Sequence, residues 1–209
     1  MKVLLVNGSP HPAGCTYTAL MEIAGALERE GIDAELFQAG RAPMAGCAAC
    51  GGCGKRGRCA LPDAERVNAL IQAAQGADGF IFGSPVHYAS ADGTITSLLD
   101  RAFYAGGAAF THKPGAAVVS CRRAGSTAAL DQLNKYLTIN QMPVVSSQYW
   151  NMVHGNTPDQ VRQDAEGLQI MRTLGRNMAW LLKCIQAGAQ AGVKPPEREQ
   201  PRQTTNFIR

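Results

Sequence analysis

Four cysteines, Cys47, Cys50, Cys53 and Cys59, lie close together in the chain, separated by two, two and five residues. The glycines between them let the backbone wrap around a small group and donate N–H groups to sulfur. Thiolates at this spacing suit a [4Fe-4S] cluster. Zinc is a weaker alternative, because structural zinc sites usually divide their ligands into two separated pairs. A disulfide framework is not expected in a cytoplasmic protein of this size, and a metal-free Cys/Gly-rich lid remains a third reading.

A second group of chemistry-bearing residues follows the first apolar segment. Lys2–Val6 has the length and composition of a buried strand, and a helical period begins at Thr16. A helix start presents unpaired N–H groups and the positive end of its dipole. Ser9, Thr16 and Thr18 can add hydroxyl donors, and Gly8–Leu20 contains no Lys or Arg. The segment predicts a phosphate site built from neutral donors, which suits a cofactor that stays bound.

Other phosphate-binding motifs do not fit this chain. A Walker loop needs Ser or Thr after Gly-Lys, whereas Gly54-Lys55 is followed by Arg56. The Gly-x-Gly-x-x-Gly fingerprint is also absent after the first strand. A plain Gly/Ser/Thr-rich turn remains the alternative.

Two further loops follow predicted strands, at residues 83–90 (GSPVHYAS) and 120–126 (SCRRAGS). The first has a proline-stiffened backbone beside an aromatic residue, which suits the edge of a flat ring. The second carries Arg122 and Arg123, whose guanidinium groups could stabilise negative charge on a ring that accepts electrons. A plain turn and two solvated arginines are the alternative readings.

The composition is that of one α/β core with a short tail. The chain has 209 residues, of which 45% are hydrophobic and 17% charged, with a formal net charge of +4. The basic residues are scattered, so nucleic acid is not expected as a partner, although anionic substrates are mildly favoured. No segment has the ~20 apolar residues that span a membrane, and the N-terminus does not resemble a signal peptide. We expect a soluble cytoplasmic protein.

Strand and helix patterns alternate along the chain, which predicts a doubly wound parallel sheet. Ligands of such sheets bind beyond the carboxyl ends of the strands, where the three loops lie. Asp63 is a candidate helix cap, and residues 157–160 form a capping box for the last helix, whose apolar stripe runs to Ile185. The predicted strands are residues 2–6, 34–38, 79–82, 116–120 and 144–147, and the predicted helices begin near residues 16, 63, 93, 126 and 157.

Three segments together resemble the flavodoxin-like NAD(P)H-dependent FMN reductases: GSPHPAGCT, GSPVHYAS with LLDRAFY behind it, and VVSCRRAGST. The resemblance covers most of Met1–Ile185 and is strongest to the branch that contains the iron-sulfur flavoproteins, whose compact cysteine motif fits residues 47–59. It implies a flavodoxin-like five-stranded parallel sheet of order 2-1-3-4-5 with helices on both faces. We expect an FMN-binding domain at 1–190 and a C-terminal tail at 191–209.

The resemblance also implies which residues contact FMN. The first loop would surround the phosphate, the second would line the isoalloxazine ring, and the third would lie near its pyrimidine edge or the ribityl chain. His11 and Cys15 stand where relatives commonly carry Arg and Asn. The implied cofactor-binding residues are Ser9, His11, Cys15, Thr16, Thr18, Pro85, Val86, His87, Tyr88, Ser120, Arg122, Arg123 and Gly125.

An FMN-dependent NAD(P)H oxidoreductase is the activity that this resemblance implies. Electrons would pass in ping-pong fashion to a quinone, an azo or nitro compound, a metal ion or a protein carrier, with no obligatory catalytic side chain. The alternative is a non-enzymatic electron carrier of the flavodoxin or iron-sulfur flavoprotein type, although flavodoxin carriers are usually acidic. We further expect a homodimer or a dimer of dimers, with Tyr149 and Trp150 in the core or an interface. Cys121 and Cys184 are expected to be buried.

Overall fold

A computed structural model describes residues 1–54, 56–197, 199–201, 203–205 and 207. Strands and helices alternate through most of the chain, as the hydrophobic pattern predicts. The strands are β1 (Lys2–Asn7), β2 (Asp33–Gln38), β3 (Gly79–His87), β4 (Ser90–Ala91), β5 (Gly115–Cys121) and β6 (Met152–His154). The helices are α1 (Cys15–Arg29), α2 (Glu65–Gln75), α3 (Gly93–Gly106), α4 (Ser126–Ile139), α5 (Pro158–Gln163) and α6 (Ala165–Gln190), with a short 3₁₀ turn at Gly107–Ala109.

The main strands run parallel in the order β2-β1-β3-β5-β6, which confirms the predicted flavodoxin-like order. The sheet has six strands rather than five, because β4 folds back antiparallel on the end of β3. Tyr88 and Ala89 form this hairpin with φ values of +50° and +58°. Two left-handed residues match the twist of a tight hairpin, but neither is a glycine, so the sequence gives no sign of the turn.

Alternate side chains of the central strands point to opposite faces of the sheet, so each face has its own core. Leu4 and Phe82 belong to the core formed with α2, α3 and α4. Val3, Leu5 and Ile81 belong to the core formed with α1 and α6. The two cores fix the sheet between helical layers and hold the loops at the carboxyl edge of the strands in register.

The prediction of a fifth strand at residues 144–147 is wrong. That segment makes only an isolated bridge between Val144 and Gly115, and Val144 is 45% exposed. The Ser147 hydroxyl then bonds with Tyr149 O (2.7 Å) and Asn151 Oδ1 (2.8 Å), which turns the chain into a loop. The edge of the sheet is completed instead by β6, which pairs with Val119–Cys121.

The predicted last helix is interrupted. The Thr157 side chain caps its start as expected, but Asp164 ends α5 and caps α6 by accepting a hydrogen bond from Gly167 N (2.9 Å). Ile185 does not pack on the sheet, since it is 41% exposed near the end of α6. Asp63 is not a helix cap either, because the N-cap position of α2 belongs to Ala64.

Two cysteines outside the motif were expected to be buried, but their exposure to solvent differs. Cys121 is buried, as predicted, whereas Cys184 is exposed on α6. Tyr149 and Trp150 are also exposed, so they are not core residues. Within the described part of the chain, no helix is both long enough and apolar enough to cross a membrane.

Candidate functional site

The three loops of interest meet at the carboxyl edge of the sheet. Gly8 N donates a hydrogen bond to Gly83 O (2.8 Å), which joins the loop after β1 to β3. The Thr16 and Ser120 hydroxyls are 2.8 Å apart, so the start of α1 is joined to the end of β5. The site predicted from separate sequence segments is therefore one continuous surface.

The first loop is held rigid by side chains at the ends of β1 and β2. Asn7 accepts from Ser9 N (3.1 Å) and donates to Gln38 Oε1 (2.8 Å). Gln38 in turn donates to Ser9 O (2.7 Å), and the Ser9 hydroxyl accepts from His11 N (3.1 Å). Sequence reasoning missed Asn7 and Gln38, although a buried polar residue directly after an apolar strand was the available signal.

The start of α1 is left free to receive an anion. Gly14 is extended before the helix, no side chain caps it, and no acidic residue lies in the first turn. Thr16 is buried with its hydroxyl at Ser120, whereas the Thr18 hydroxyl donates to Gly14 O (3.1 Å). Thr18 thus bonds with its own helix, while Thr16 lies among the three loops.

The Cys15 thiol stands beside this helix start and donates to Gly155 O (3.7 Å). Burial raises its pKa, so the sulfur stays a neutral thiol near neutral pH. A neutral thiol does not repel a bound phosphate. His11, by contrast, is exposed at the rim of the loop.

The second loop forms the end of the β3–β4 hairpin. Pro85 and Val86 are half-buried, and His87 and Tyr88 are exposed. His87 Nδ1 lies 2.9 Å from Asp92 Oδ2. Sequence reasoning missed this pair, because only the hairpin brings the two residues together.

The third loop contacts the hairpin through a glycine. Gly125 has a φ of +87°, and a Cβ there would lie 2.6 Å from Ala89 Cα. Glycine permits this close approach and adopts the left-handed backbone without the strain that a Cβ would add. Arg122 and Arg123 are both exposed, and neither forms an ion pair with another described residue.

The cysteine-rich loop lies between β2 and α2 and packs against α3. All four cysteines line one pocket with Arg101 and Tyr104 of α3. The four sulfur-bearing residues therefore surround a shared space. Because each thiolate of a [4Fe-4S] cluster binds a different iron atom, the sulfurs need not approach as closely as the ligands of a single ion.

A single metal ion fits the pocket less well. Among the described residues, no three His, Cys, Asp or Glu side chains are grouped to hold one ion. The placement of these side chains therefore gives no support to a site for a single zinc ion.

Arg101 fastens the cysteine-rich loop to the domain. This arginine is buried and donates two hydrogen bonds to the Asp63 carboxylate (2.8 and 3.0 Å). It also donates to Ala45 O (3.0 Å) and to Cys59 Sγ (3.4 Å). The hydrogen bonds from Arg101 lower the pKa of Asp63, so the pair stays ionised. Both ends of the loop are thus tied to one guanidinium, a role that the sequence did not indicate.

The residues present fit FMN at the carboxyl edge. An uncapped helix start and neutral side chains suit its phosphate, and the half-buried Pro85 and Val86 beside a glycine-bearing loop offer a surface for its ring. The flavodoxin-like strand order places these features on neighbouring strands.

Comparisons with known proteins agree with this geometry. A family model described as NADPH-dependent FMN reductase matches residues 1–157. An iron-sulfur flavoprotein of Methanocaldococcus jannaschii is 29% identical over 193 residues, covering 88% of this chain and 99% of that protein.

Solved structures show the same fold. RosB, solved with a bound 8-demethyl-8-formylriboflavin-5'-phosphate intermediate, aligns with a TM-score of 0.68 at 14% identity over 100% of this chain and 95% of RosB. An archaeal flavodoxin aligns with a TM-score of 0.59 at 16% identity over 88% of this chain and 99% of that chain.

Proposed function

The chain belongs to the NADPH-dependent FMN reductase family, and from this premise we propose how its residues serve the FMN-dependent transfer of electrons from NADPH to a second acceptor. The observation that carries the proposal is the meeting of three loops around the uncapped start of α1. When bound, FMN would supply the redox chemistry that links NADPH to the acceptor, while the protein would set its position and potential. The acceptors that we propose are a quinone, an azo or nitro compound or a protein carrier.

The phosphate end of the site is formed by the backbone N–H groups at the start of α1. Ser9 and Thr16 are both buried, and they are proposed to bind the phosphate together with Cys15, Thr18 and the exposed His11. The helix dipole supplies the positive potential that is otherwise supplied by Lys or Arg.

The ring end of the site is formed by the second and third loops. The residues that would line the ring lie at or just after the carboxyl ends of β3 and β5. They are close to the contact between Gly125 and Ala89. An exposed arginine beside the pyrimidine edge would stabilise negative charge on the reduced ring. The proposed set is Pro85, Val86, His87, Tyr88, Ser120, Arg122, Arg123 and Gly125.

We further propose that Cys47, Cys50, Cys53 and Cys59 hold a [4Fe-4S] cluster. The support is their shared pocket and the likeness over nearly the whole chain to a protein named as an iron-sulfur flavoprotein. A cluster would extend electron transfer from small molecules to a protein carrier. The non-enzymatic carrier remains a second candidate only through that same relative, and the net charge of +4 argues against a flavodoxin-type carrier.

We also propose that the protein is cytoplasmic and forms a homodimer. The support for an oligomer is the exposed pair of Tyr149 and Trp150, whose rings pack edge to face at 4.9 Å on the surface. Exposed aromatic residues of this kind are enriched at protein interfaces.

Purified protein is expected to bind about one FMN per chain and to oxidise NADPH in the presence of a quinone. Protein stripped of FMN should lose this activity and regain it when FMN is returned, because the chain itself has no redox group that accepts hydride. Absorbance of NADPH measured with each form checks the result. FMN-loaded protein that takes electrons only from a reduced protein, and never from NADPH, would favour the carrier.

Gly125→Ala is expected to weaken FMN binding by about tenfold or more, equivalent to about 1.4 kcal/mol. The new Cβ must displace the hairpin at Ala89, which moves the second and third loops apart. Gly192→Ala is the matched control, because Gly192 has the same φ of +87° but no neighbour within 4 Å of the added Cβ. Fluorescence titration of FMN checks both variants, and equal affinities would contradict the placement of the ring end.

A further inference from the structure

His87 and Asp92 form a pair whose geometry is fixed at both ends. His87 Nδ1 lies 2.9 Å from Asp92 Oδ2, and Asp92 Oδ1 accepts from Thr94 N (2.8 Å) as the cap of α3. Asp92 is buried, and its backbone N donates to the Ser84 hydroxyl (2.9 Å). The carboxylate therefore cannot turn away from the imidazole without breaking the helix cap.

The imidazole itself faces outward from the end of β3. Its side chain is about half exposed, in contrast to that of Asp92. With Nδ1 turned toward the carboxylate, Nε2 is the ring nitrogen left for a ligand. The pair has the arrangement in which a buried carboxylate orients a histidine for proton transfer.

The hairpin that carries His87 is bound to α4 through a neutral side chain. The hairpin strand β4 is held to α4 by the neutral Gln132, which accepts from Ser90 Oγ (2.7 Å) and Ala91 N (2.9 Å). Arg122 and Arg123 follow β5, the neighbour of β3, and both are exposed. Asp92 is the carboxylate that contacts His87 among the described residues.

We propose that His87 is a catalytic proton donor to a quinone acceptor and that Asp92 is its positioning residue. This inference rests on the proposed function, because it requires that the acceptor enter beside the end of β3. It goes beyond that function by assigning a side chain to the second half of the reaction. It also names the acceptor class, which is one whose reduction consumes protons.

The balance of the reaction requires such a group. Reduction of a quinone to a hydroquinone takes two electrons and two protons. A hydride, derived from NADPH, supplies both electrons and one proton, so one quinone oxygen needs a further proton. The His87 imidazolium breaks its Nε2–H bond and forms the O–H bond at that oxygen. The neutral ring keeps its Nδ1–H toward Asp92 and is reprotonated by water.

The test compares a quinone with ferricyanide, a one-electron acceptor that takes up no proton. For His87→Gln, the ratio of quinone to ferricyanide turnover is expected to fall by about a hundredfold, the lower end of general-acid effects. The ratio corrects for any change in FMN loading or in NADPH oxidation. His112→Gln is the matched control, because His112 contacts the neutral Gln141 and lies before β5, at the opposite edge of the sheet. Its ratio should equal that of the unchanged protein.

Asp92→Asn supplies a readout that does not depend on turnover. The amide oxygen is needed by Thr94 N, so the amide NH₂ should face His87 and move the proton of the neutral ring from Nδ1 to Nε2. ¹⁵N chemical shifts of His87 report this change of tautomer, and the turnover ratio should fall with it. A ratio unchanged in both variants, or a ring that keeps its tautomer in Asp92→Asn, would overturn the proposal. Absence of NADPH oxidation with either acceptor in the unchanged protein would instead refute the proposed function.

Discussion

Cys53→Ala is expected to remove the iron from anaerobically prepared protein and to leave FMN bound. The unchanged protein should contain about four iron atoms per chain and show a broad absorbance that bleaches on reduction, as thiolate-bound iron does. Cys53 lines the cysteine pocket, whereas the proposed phosphate site lies at the start of α1, so the two losses should be separable. Iron and flavin analysis of one anaerobic sample measures both.

Cys184→Ala is the matched control for this experiment. Cys184 is an exposed thiol on α6, outside the pocket, and its removal should change neither iron nor FMN. If the unchanged protein contains no iron after anaerobic preparation with iron supplied, the loop is a lid and its cysteines are ordinary thiols. The comparison must be anaerobic, because oxygen can destroy an exposed cluster.

Arg101→Met should lower the free energy of unfolding by about 2 kcal/mol, on the scale of lost hydrogen bonds to charged groups. This is less than the cost of breaking a fully buried ion pair, because the Asp63 side chain is 44% exposed and solvent screens it. Methionine retains much of the packing but none of the four hydrogen bonds that join α3 to the cysteine-rich loop. Urea denaturation measures the loss.

Iron content gives this variant a second, larger readout. Without Arg101, the loop loses its ties at Ala45, Cys59 and Asp63, so a cluster should be lost to a chelator much faster than from the unchanged protein. Arg162→Met is the control, because Arg162 pairs with Asp159 on an exposed turn of α5. Its stability and iron retention should be nearly unchanged. An Arg101→Met protein as stable as this control would show that Arg101 does not fasten the loop.

The strand order was predicted from the family resemblance of the sequence, whereas the buried strands and the first loop were predicted from local signals. Those local signals are short apolar runs and a helix period that begins at Thr16. Secondary structure predicted from local signals is observed when tertiary packing favours the same structure. For this reason the loop before α1 and the buried strands β1, β3 and β5 were predicted near their observed positions.

The edge of the sheet could not be predicted in the same way. Residues 144–147 have a strand-like composition, yet β6 forms at Met152–His154. The choice between the two depends on which segment can pair with Val119–Cys121 once the loop around Asn151 is closed. That is a competition between nonlocal hydrogen bonds, and strand propensity reports it poorly.

Tertiary structure also decided the roles of Arg101, Asp63 and the pair of His87 and Asp92. An arginine in an amphipathic helix is usually assigned to solvent, and Asp63 resembles a helix cap. Arg101 is buried because the cysteine-rich loop covers α3. The Asp63 carboxylate pairs with the Arg101 guanidinium and does not cap α2. His87 meets Asp92 only because two non-glycine residues adopt a left-handed turn. The sequence determined which chemical groups are available at the strand ends, and long-range packing decided which of them face one another, because burial and ion pairing depend on residues distant in the chain.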